Sequence, residues 1–123
     1  MHDLTALFEH AAREYPAEAC GLVVRRGGGL VALPGRNLAP RGRFELDPAT
    51  LIAARSEPLH AIYHSHCDAP AALSAADRRG WMLGDQPAWP GVELWIVPVR
   101  RGIAGAPVRY TWDAARGDFS MRS

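Results

Sequence analysis

Short apolar segments of strand length recur along this chain and alternate with segments of helical periodicity. The apolar runs predict strands at residues 19–25, 30–33, 44–46, 59–66, 92–99, 108–112 and 119–122. Helices are expected over 3–14, where Leu4, Leu7 and Phe8 fall on one face, and over 47–54 and 74–83. Because helices alternate with strands while the last strands follow one another, we predict an α/β fold with a mixed, mainly antiparallel sheet flanked by helices.

Polar residues mark the expected start of each helix. Asp3 is a suitable N-cap for the first helix, and Asp47, followed by Pro48, is one for the second. Ser74 stands at the start of the third helix with an acidic residue, Asp77, three positions later, which is a common capping arrangement. Local chemistry therefore predicts where all three helices begin.

The composition is that of one ordinary globular domain, which we expect to span residues 1–123. Hydrophobic residues make up 48% and charged residues 22% of the chain, which argues against disorder. The 14 basic and 13 acidic residues nearly cancel, so neither nucleic acid nor a membrane surface is an expected partner. No apolar stretch reaches the roughly 18 residues of a membrane span, and the N-terminus lacks the pattern of a signal peptide. We therefore expect a cytoplasmic protein.

The pattern most informative about function is His64-x-His66, seven residues, Ser74, two residues, Asp77. Side chains alternate along a strand, so His64 and His66 project from the same face at the end of the strand 59–66. Ser74 and Asp77, at i and i+3, share one face of the following helix. Two imidazoles and one carboxylate would leave the fourth position of a zinc tetrahedron for water, as in catalytic zinc sites.

Each half of this pattern also has a purely structural interpretation. A His-x-His pair on a strand is often a surface pair, and Ser74 can cap its helix whether or not it faces a metal. Hydrolysis at a zinc site also needs a carboxylate that accepts a proton from water and passes it to the leaving amine. Glu18 directly precedes an apolar strand that could hold it rigidly, and the competing candidates are Glu9, Glu14, Glu45 and Glu57.

The spacing, together with Glu18 in the segment Pro-Ala-Glu-Ala-Cys-Gly, resembles the JAMM (MPN-plus) zinc metallopeptidases, in particular their small prokaryotic single-domain members. The resemblance covers almost the whole chain and implies the MPN/JAMM fold, which is similar to that of cytidine deaminases. It implies one Zn2+ per chain bound by His64, His66 and Asp77, with Glu18 as general base and acid and Ser74 stabilising the oxyanion. It also implies hydrolysis of a peptide or isopeptide bond after the C-terminal Gly-Gly of a ubiquitin-like or sulfur-carrier protein.

The sequence departs from the family pattern close to the ligands. Cys67 follows the second histidine where the family often has proline, and Leu73 stands where another proline is frequent. Neither position is a ligand, so the predicted metal site is unaffected. A Cys67 thiolate could approach the zinc and block the water position, although a loop thiol without a function is the simpler interpretation.

Further residues near the pattern also have alternative interpretations. His60, four residues before His64, is expected on the same strand face in a surface role. Asp68 is expected to be a solvated loop residue, with the orientation of an imidazole as the alternative. Trp81 and Met82 are expected to line a groove for an extended substrate tail.

Other functions are compatible with the sequence. A non-catalytic scaffold of the same fold would bind partners through its sheet and helices, and related domains occur in phage tail assembly proteins. A zinc deaminase is disfavoured because the chain lacks a Cys-x-x-Cys pair. The sequence leaves open the identity of the substrate protein, the kind of bond and the oligomeric state.

Overall fold

Residues 2–39 and 44–122 are described by a computed structural model of the chain. In these ranges the helices are α1 (Thr5–Glu14), α2 (Pro48–Ala53) and α3 (Ala75–Trp81). The strands are β1 (Cys20–Arg26), β2 (Gly29–Pro34), β3 (Leu59–Cys67), β4 (Met82–Leu83), β5 (Gln86–Pro87), β6 (Glu93–Arg100), β7 (Ile103–Ala104), β8 (Val108–Asp113) and β9 (Asp118–Arg122). Among the described residues no helix has the length and apolar character of a membrane span.

The main sheet has the strand order β2-β1-β3-β6-β8-β9, and β7 pairs with β6. Neighbouring strands are antiparallel except β3 and β6, which run parallel. The short strands β4 and β5 form a separate two-stranded sheet. This arrangement confirms the predicted α/β fold with a mixed, mainly antiparallel sheet flanked by helices.

Each face of the sheet buries an apolar layer. Helix α1 covers one face, where its residues Leu7 and Ala11 pack against Val23, Tyr63 and Trp95. The opposite face packs against α2 and α3 and is formed by Leu22, Ile62, Leu94 and Ile96, among others. Burial of apolar surface is the main stabilising contribution to such a layer. Strand β3, with a neighbour on either side and a packed layer on each face, is therefore a rigid support for the residues at its end.

The register between β1 and β3 contains one irregularity, at His60. Val23 of β1 pairs with Ala61 of β3, but the next residue, Val24, pairs with Leu59. His60, between these two partners, is therefore the extra residue of a β-bulge. Its ring lies beside Trp95 on the face covered by α1, and its Nε2 is 3.4 Å from Glu93 Oε1. The prediction that His60 shares a face with His64 was wrong, because alternation of side chains holds only along an uninterrupted strand.

Helix α1 begins later than predicted. Its N-cap is Leu4, which makes no side-chain capping bond. Asp3 forms a bridge with Val31 of the edge strand β2 and donates its backbone N–H to Leu30 O at 2.8 Å. The Asp3 carboxylate accepts the Thr5 N–H at 3.3 Å. Pairing with the sheet edge, which a local capping rule does not consider, determines the position of Asp3.

Helix α2 begins as predicted, with Asp47 as its N-cap and Pro48 in its first turn. The preceding residues 44–46, predicted as a strand, form one isolated bridge between Leu46 and Asn37. The segment therefore leads into the cap of α2 and does not add a strand to the sheet.

Helix α3 ends at Trp81, two residues before the predicted end. Met82 and Leu83 extend into β4, and the chain turns back at Gly84, which has a φ of +64°, to form β5. This left-handed conformation is favourable for glycine and costly for most other residues. The turn chemistry at Gly84 therefore outweighs the helical periodicity of the residues before it.

Candidate metal centre

The end of β3 directs His64 and His66 to one face of the sheet. His64 is fully buried and His66 is half-buried. Ser65 points to the opposite face. Its hydroxyl accepts the Ala19 N–H at 2.8 Å, and the backbone N–H of Ser65 donates to Ala19 O at 2.9 Å. These two bonds fix the end of β3 to the residue that follows Glu18.

Helix α3 brings Asp77 to the two histidines. The Ser74 hydroxyl accepts the Asp77 N–H and the Asp77 carboxylate accepts the Ser74 N–H, each at 3.0 Å, which is a complete capping box. Asp77 Oδ1 lies 3.0 Å from His64 Nε2, and Asp77 Oδ2 lies 3.2 Å from His66 Nε2. The two Nε2 atoms are 3.2 Å apart. The structure thus brings the three predicted ligand residues together.

The spacing of these atoms suits a zinc ion. Zinc binds imidazole nitrogen and carboxylate oxygen at about 2.0–2.1 Å in a tetrahedron, so neighbouring ligand atoms lie about 3.3 Å apart. The three separations of 3.0 to 3.2 Å are close to this value. His66 Nδ1 lies 2.7 Å from Pro70 O, and because a carbonyl only accepts, Nδ1 carries the hydrogen. In the neutral ring this leaves Nε2 as the nitrogen able to bind a metal.

The imidazole of His64 is positioned by packing. The Phe44 ring stacks on it, with ring centroids 4.1 Å apart and an angle of 16° between the planes. His64 Nδ1 is buried and has no hydrogen-bond partner within the described part of the chain. Neither Phe44 nor the carbonyl of Pro70 was predicted as part of the site, because a stacking contact between residues far apart in the chain and a backbone acceptor leave no local pattern.

Burial and hydrogen bonding set the protonation of the three residues. Burial lowers the pKa of His64. Burial alone would raise the pKa of Asp77, but the hydrogen bonds with His64 and His66 outweigh it, so this pKa lies well below its usual range. Burial also acts to lower the pKa of His66, whereas its bonds to Asp77 and Pro70 raise it overall. An ionised carboxylate and a neutral His64 are the forms that bind a metal cation.

Glu18, on the segment that leads into β1, lies next to His66 at the end of the neighbouring strand β3. Cys20 pairs with His64 in antiparallel register, which sets Glu18, two residues before Cys20, opposite His66. Asn37 Nδ2 donates to the backbone carbonyl of Glu18 at 2.9 Å and fixes the chain at this point. Burial raises the pKa of the Glu18 carboxyl above its ordinary value, against the opposing effect of the His66 charge. Such a group is suited to accept and release a proton.

The other candidate carboxylates lie in different surroundings. Glu9 and Glu14 are exposed on α1, which packs on the opposite side of the sheet from α3. Glu57 forms a two-point ion pair with Arg26, with N–O distances of 2.7 and 2.9 Å. Glu45 is exposed and lines the same groove as Asp77.

The two residues after His66 make contacts away from the ligands. Cys67 Sγ donates to Ala17 O at 3.4 Å, and the group able to hold a metal among the described residues consists of the three predicted ligands without Cys67. Asp68 is exposed, as expected of a loop residue, but its carboxylate accepts hydrogen bonds from the Tyr15 hydroxyl and the Arg101 N–H. It orients neither imidazole by direct contact.

A groove of about 480 Å³ opens beside Asp77. Its charged lining residues are Glu45, Asp77 and Arg79, and its large apolar ones are Phe44, Leu46, Leu51, Ile62, Trp81 and Trp89. Trp81 therefore lines a groove at the site, as predicted. Met82 does not, and borders a separate depression together with Trp112 and Phe119.

Two comparisons relate the chain to known sequences. Residues 2–114 match the Prok-JAB family, described as prokaryotic homologs of the JAB domain. Tail tip assembly protein K of Escherichia phage N15 is 38% identical over 78 residues, which are 61% of this chain and 32% of that protein. The chain therefore spans about a third of the length of this relative.

Two solution structures share the fold. A protein from Salinibacter ruber matches with a TM-score of 0.66 at 24% identity, covering 98% of this chain and 84% of that one. A protein from Desulfitobacterium hafniense matches with a TM-score of 0.72 at 20% identity, covering 99% and 90%. At these identities the likeness concerns the fold alone. Because the family match extends over residues 2–114, the chain belongs to the prokaryotic homologs of the JAB domain.

Proposed function

We propose that this protein is a zinc-dependent metallopeptidase that hydrolyses a peptide or isopeptide bond after the C-terminal glycines of a ubiquitin-like or sulfur-carrier protein. The observation that carries the proposal is the convergence of His64, His66 and Asp77, whose ligand atoms lie 3.0 to 3.2 Å apart. The half-buried Glu18 lies beside them. A scaffold domain that only binds partners has no need of this set of side chains.

His64, His66 and Asp77 would hold one Zn2+ per chain. Zinc bound there would polarise the scissile carbonyl and lower the pKa of a water molecule to about 7. Glu18 accepts the proton of the attacking water and delivers it to the leaving amine. The raised pKa of Glu18 suits both steps, because it brings the proton affinity of the carboxylate closer to neutral pH.

Ser74 stabilises the oxyanion in this proposal. Its Oγ accepts the Asp77 N–H at 3.0 Å, which fixes the oxygen and leaves the hydroxyl hydrogen for a second partner. Ser74 is exposed and is held beside a proposed ligand. A donor fixed before the reaction requires no reorganisation as negative charge develops.

The groove beside Asp77 supports an extended tail as the substrate. Its volume of about 480 Å³ is in the range of pockets that bind small molecules or short peptide segments. The apolar walls of the groove can bind side chains of the tail, while the main chain of the tail forms hydrogen bonds with the backbone of the protein. Glycine next to the cleaved bond would allow the closest approach of the backbone, because it has no Cβ.

Zinc content and cleavage of a fusion between a Gly-Gly-ended ubiquitin-like protein and a reporter peptide test the proposal. We expect about one zinc per chain without added metal, and cleavage that stops with a chelator and returns with zinc. His66→Ala should lose metal and turnover. His60→Ala, which removes an imidazole from the other face of β3, should keep both. A folded, zinc-free, inactive wild type would contradict the proposal and favour a scaffold.

One comparison favours a second candidate function, that of a peptidase domain in phage tail assembly. The relative that is 38% identical over 78 residues is a tail tip assembly protein. The chemistry at the metal would be the same, and only the substrate would differ. Cleavage of a tail tip protein in preference to the Gly-Gly fusion, under equal conditions, would favour this second function.

A further inference from the structure

Tyr15, Asp68 and Arg101 form a hydrogen-bonded cluster next to the end of β3, which we call the Asp68 bridge. Asp68 Oδ2 accepts the hydroxyl of Tyr15, and Oδ1 accepts the Arg101 N–H at 2.8 Å. The backbone N–H of Asp68 donates to Val99 O at 2.7 Å. The Asp68 bridge thus joins the end of α1, the loop after β3 and the turn after β6.

The conformation of the backbone indicates that this bridge is strongly determined. Asp68 has a φ of +54° and Arg101 a φ of +49°, in the left-handed region that residues other than glycine rarely adopt. Two such residues cost free energy and persist only where their surroundings hold them in place. Here the two left-handed residues are joined directly, because the amide of one donates to the carboxylate of the other.

One side of the Asp68 bridge leads to the proposed general base. Tyr15 lies three residues before Glu18. The intervening Ala17 accepts a hydrogen bond from Cys67 Sγ at 3.4 Å. The segment that precedes Glu18 is therefore attached twice, to the last residue of β3 and to the first residue of the loop that follows it.

The other side leads to a proposed metal ligand. Asp68 lies two residues after His66, and Pro70, two residues further, accepts the hydrogen bond from His66 Nδ1 at 2.7 Å. The position of the Pro70 carbonyl depends on the path of the loop, which the carboxylate of Asp68 fixes at its start. The orientation of the His66 ring is therefore coupled to the Asp68 bridge.

We propose that Asp68 and Tyr15 are positioning residues that set the separation between Glu18 and His66 without touching the metal or the substrate. This inference rests on the proposed zinc peptidase function. Groups that orient a metal ligand from outside the coordination sphere typically change metal affinity or activity by about tenfold to a hundredfold when they are removed. The groove lining includes neither residue, so the effect falls on kcat and not on KM.

The test measures zinc affinity by competition with a chelator, and kcat and KM on the Gly-Gly fusion, at a temperature where every variant is folded. Asp68→Ala and Tyr15→Phe should each weaken zinc binding and lower kcat by about tenfold, with KM unchanged. The double variant should be little worse than either single one, because both changes break the same bridge. Tyr63→Phe is the matched control: it removes a hydroxyl bonded to His10 Nδ1 at 2.7 Å, and should lower stability without changing zinc affinity or kcat.

The outcomes separate this inference from the proposed function. A wild type that takes up no zinc would overturn both. If the wild type binds zinc and cleaves the fusion, and folded Asp68→Ala and Tyr15→Phe match it in zinc affinity and kcat, the inference alone is overturned. Additive losses in the double variant would also overturn it, because the two residues would then act independently.

Discussion

Ser74 and Asp77 are joined by two reciprocal hydrogen bonds of 3.0 Å each. The Asp77 oxygen that accepts the Ser74 N–H, Oδ2, also lies 3.2 Å from His66 Nε2. The same pair of residues therefore begins helix α3 and presents a carboxylate to the histidines. The capping role and the proposed catalytic role of Ser74 are compatible, and they differ in what a substitution should do.

Substitution of Ser74 separates these two roles. Ser74→Ala removes the cap and should cost about 1 kcal/mol of stability. If the hydroxyl also donates to the oxyanion, turnover should fall by about a hundredfold or more. Ser74→Asp can still cap the helix but would repel a developing oxyanion, so we expect a stable protein at least as inactive as Ser74→Ala. Thermal melts and turnover at matched zinc occupancy measure both effects, and near-normal turnover in both variants would leave Ser74 as a cap only.

The parts of the site that follow from short-range rules could be predicted from the sequence. Alternation along β3 is a local property, so the shared face of His64 and His66 could be derived from two residues. The capping box of Ser74 and Asp77 likewise depends on a spacing of three residues. The fold class could be derived because alternating helical and apolar segments have few ways to bury their apolar faces.

Features that depend on a distant partner could not be predicted in this way. The bulge at His60 exists only in relation to β1, and Asp3 is held by the edge of β2. Phe44 stacks on His64, which lies twenty positions later in the chain, beyond helix α2, and Pro70 contributes a backbone carbonyl that any residue would have. Each of these contacts is decided by tertiary packing, which a single local pattern does not encode.

Gly21 in β1 is expected to be intolerant of a side chain. A Cβ at this position would lie 2.5 Å from the Tyr63 hydroxyl oxygen and 2.6 Å from Leu33 O. Because one of these atoms is backbone, Gly21→Ala should destabilise the protein by about 1–3 kcal/mol. Gly80→Ala is the control, since a Cβ there meets nothing within 4 Å, and in helix α3 it should stabilise by about 0.5–1 kcal/mol. Urea unfolding measures both, and equal midpoints would contradict the prediction.

Asp47 should make stability depend on pH. Its carboxylate accepts hydrogen bonds from Arg36 N at 2.7 Å, Thr50 N at 3.2 Å and Thr50 Oγ1 at 2.7 Å. The bond from Arg36, assisted by those from Thr50, lowers the pKa of Asp47 against the opposing effect of burial. A depressed folded-state pKa means that the stabilisation is present above the unfolded pKa of about 3.9 and is lost as the pH falls through the folded value.

Asp47→Asn tests this dependence. Hydrogen bonds to a charged acceptor stabilise by about 1 kcal/mol more than those to a neutral one, so the variant should be less stable than the wild type by about this amount at neutral pH. The difference should shrink as the pH falls below about 4. Asp85→Asn, at an exposed turn residue, is the control and should change stability little at neutral pH. A constant difference between wild type and Asp47→Asn from neutral to acidic pH would refute the prediction.

Replacement of the proposed general base should separate metal binding from proton transfer. Glu18→Gln is nearly isosteric, and the ligand atoms of His64, His66 and Asp77 are held by β3 and α3, so zinc content and fold should be retained. An amide cannot accept a proton from water, so turnover of the Gly-Gly fusion should fall by about a hundredfold or more. Glu14→Gln, a matched change on the exposed side of α1, should keep both zinc and turnover. Normal cleavage by a zinc-loaded Glu18→Gln protein would assign the proton transfer to another residue, and Glu45 at the rim of the groove would be the next to replace.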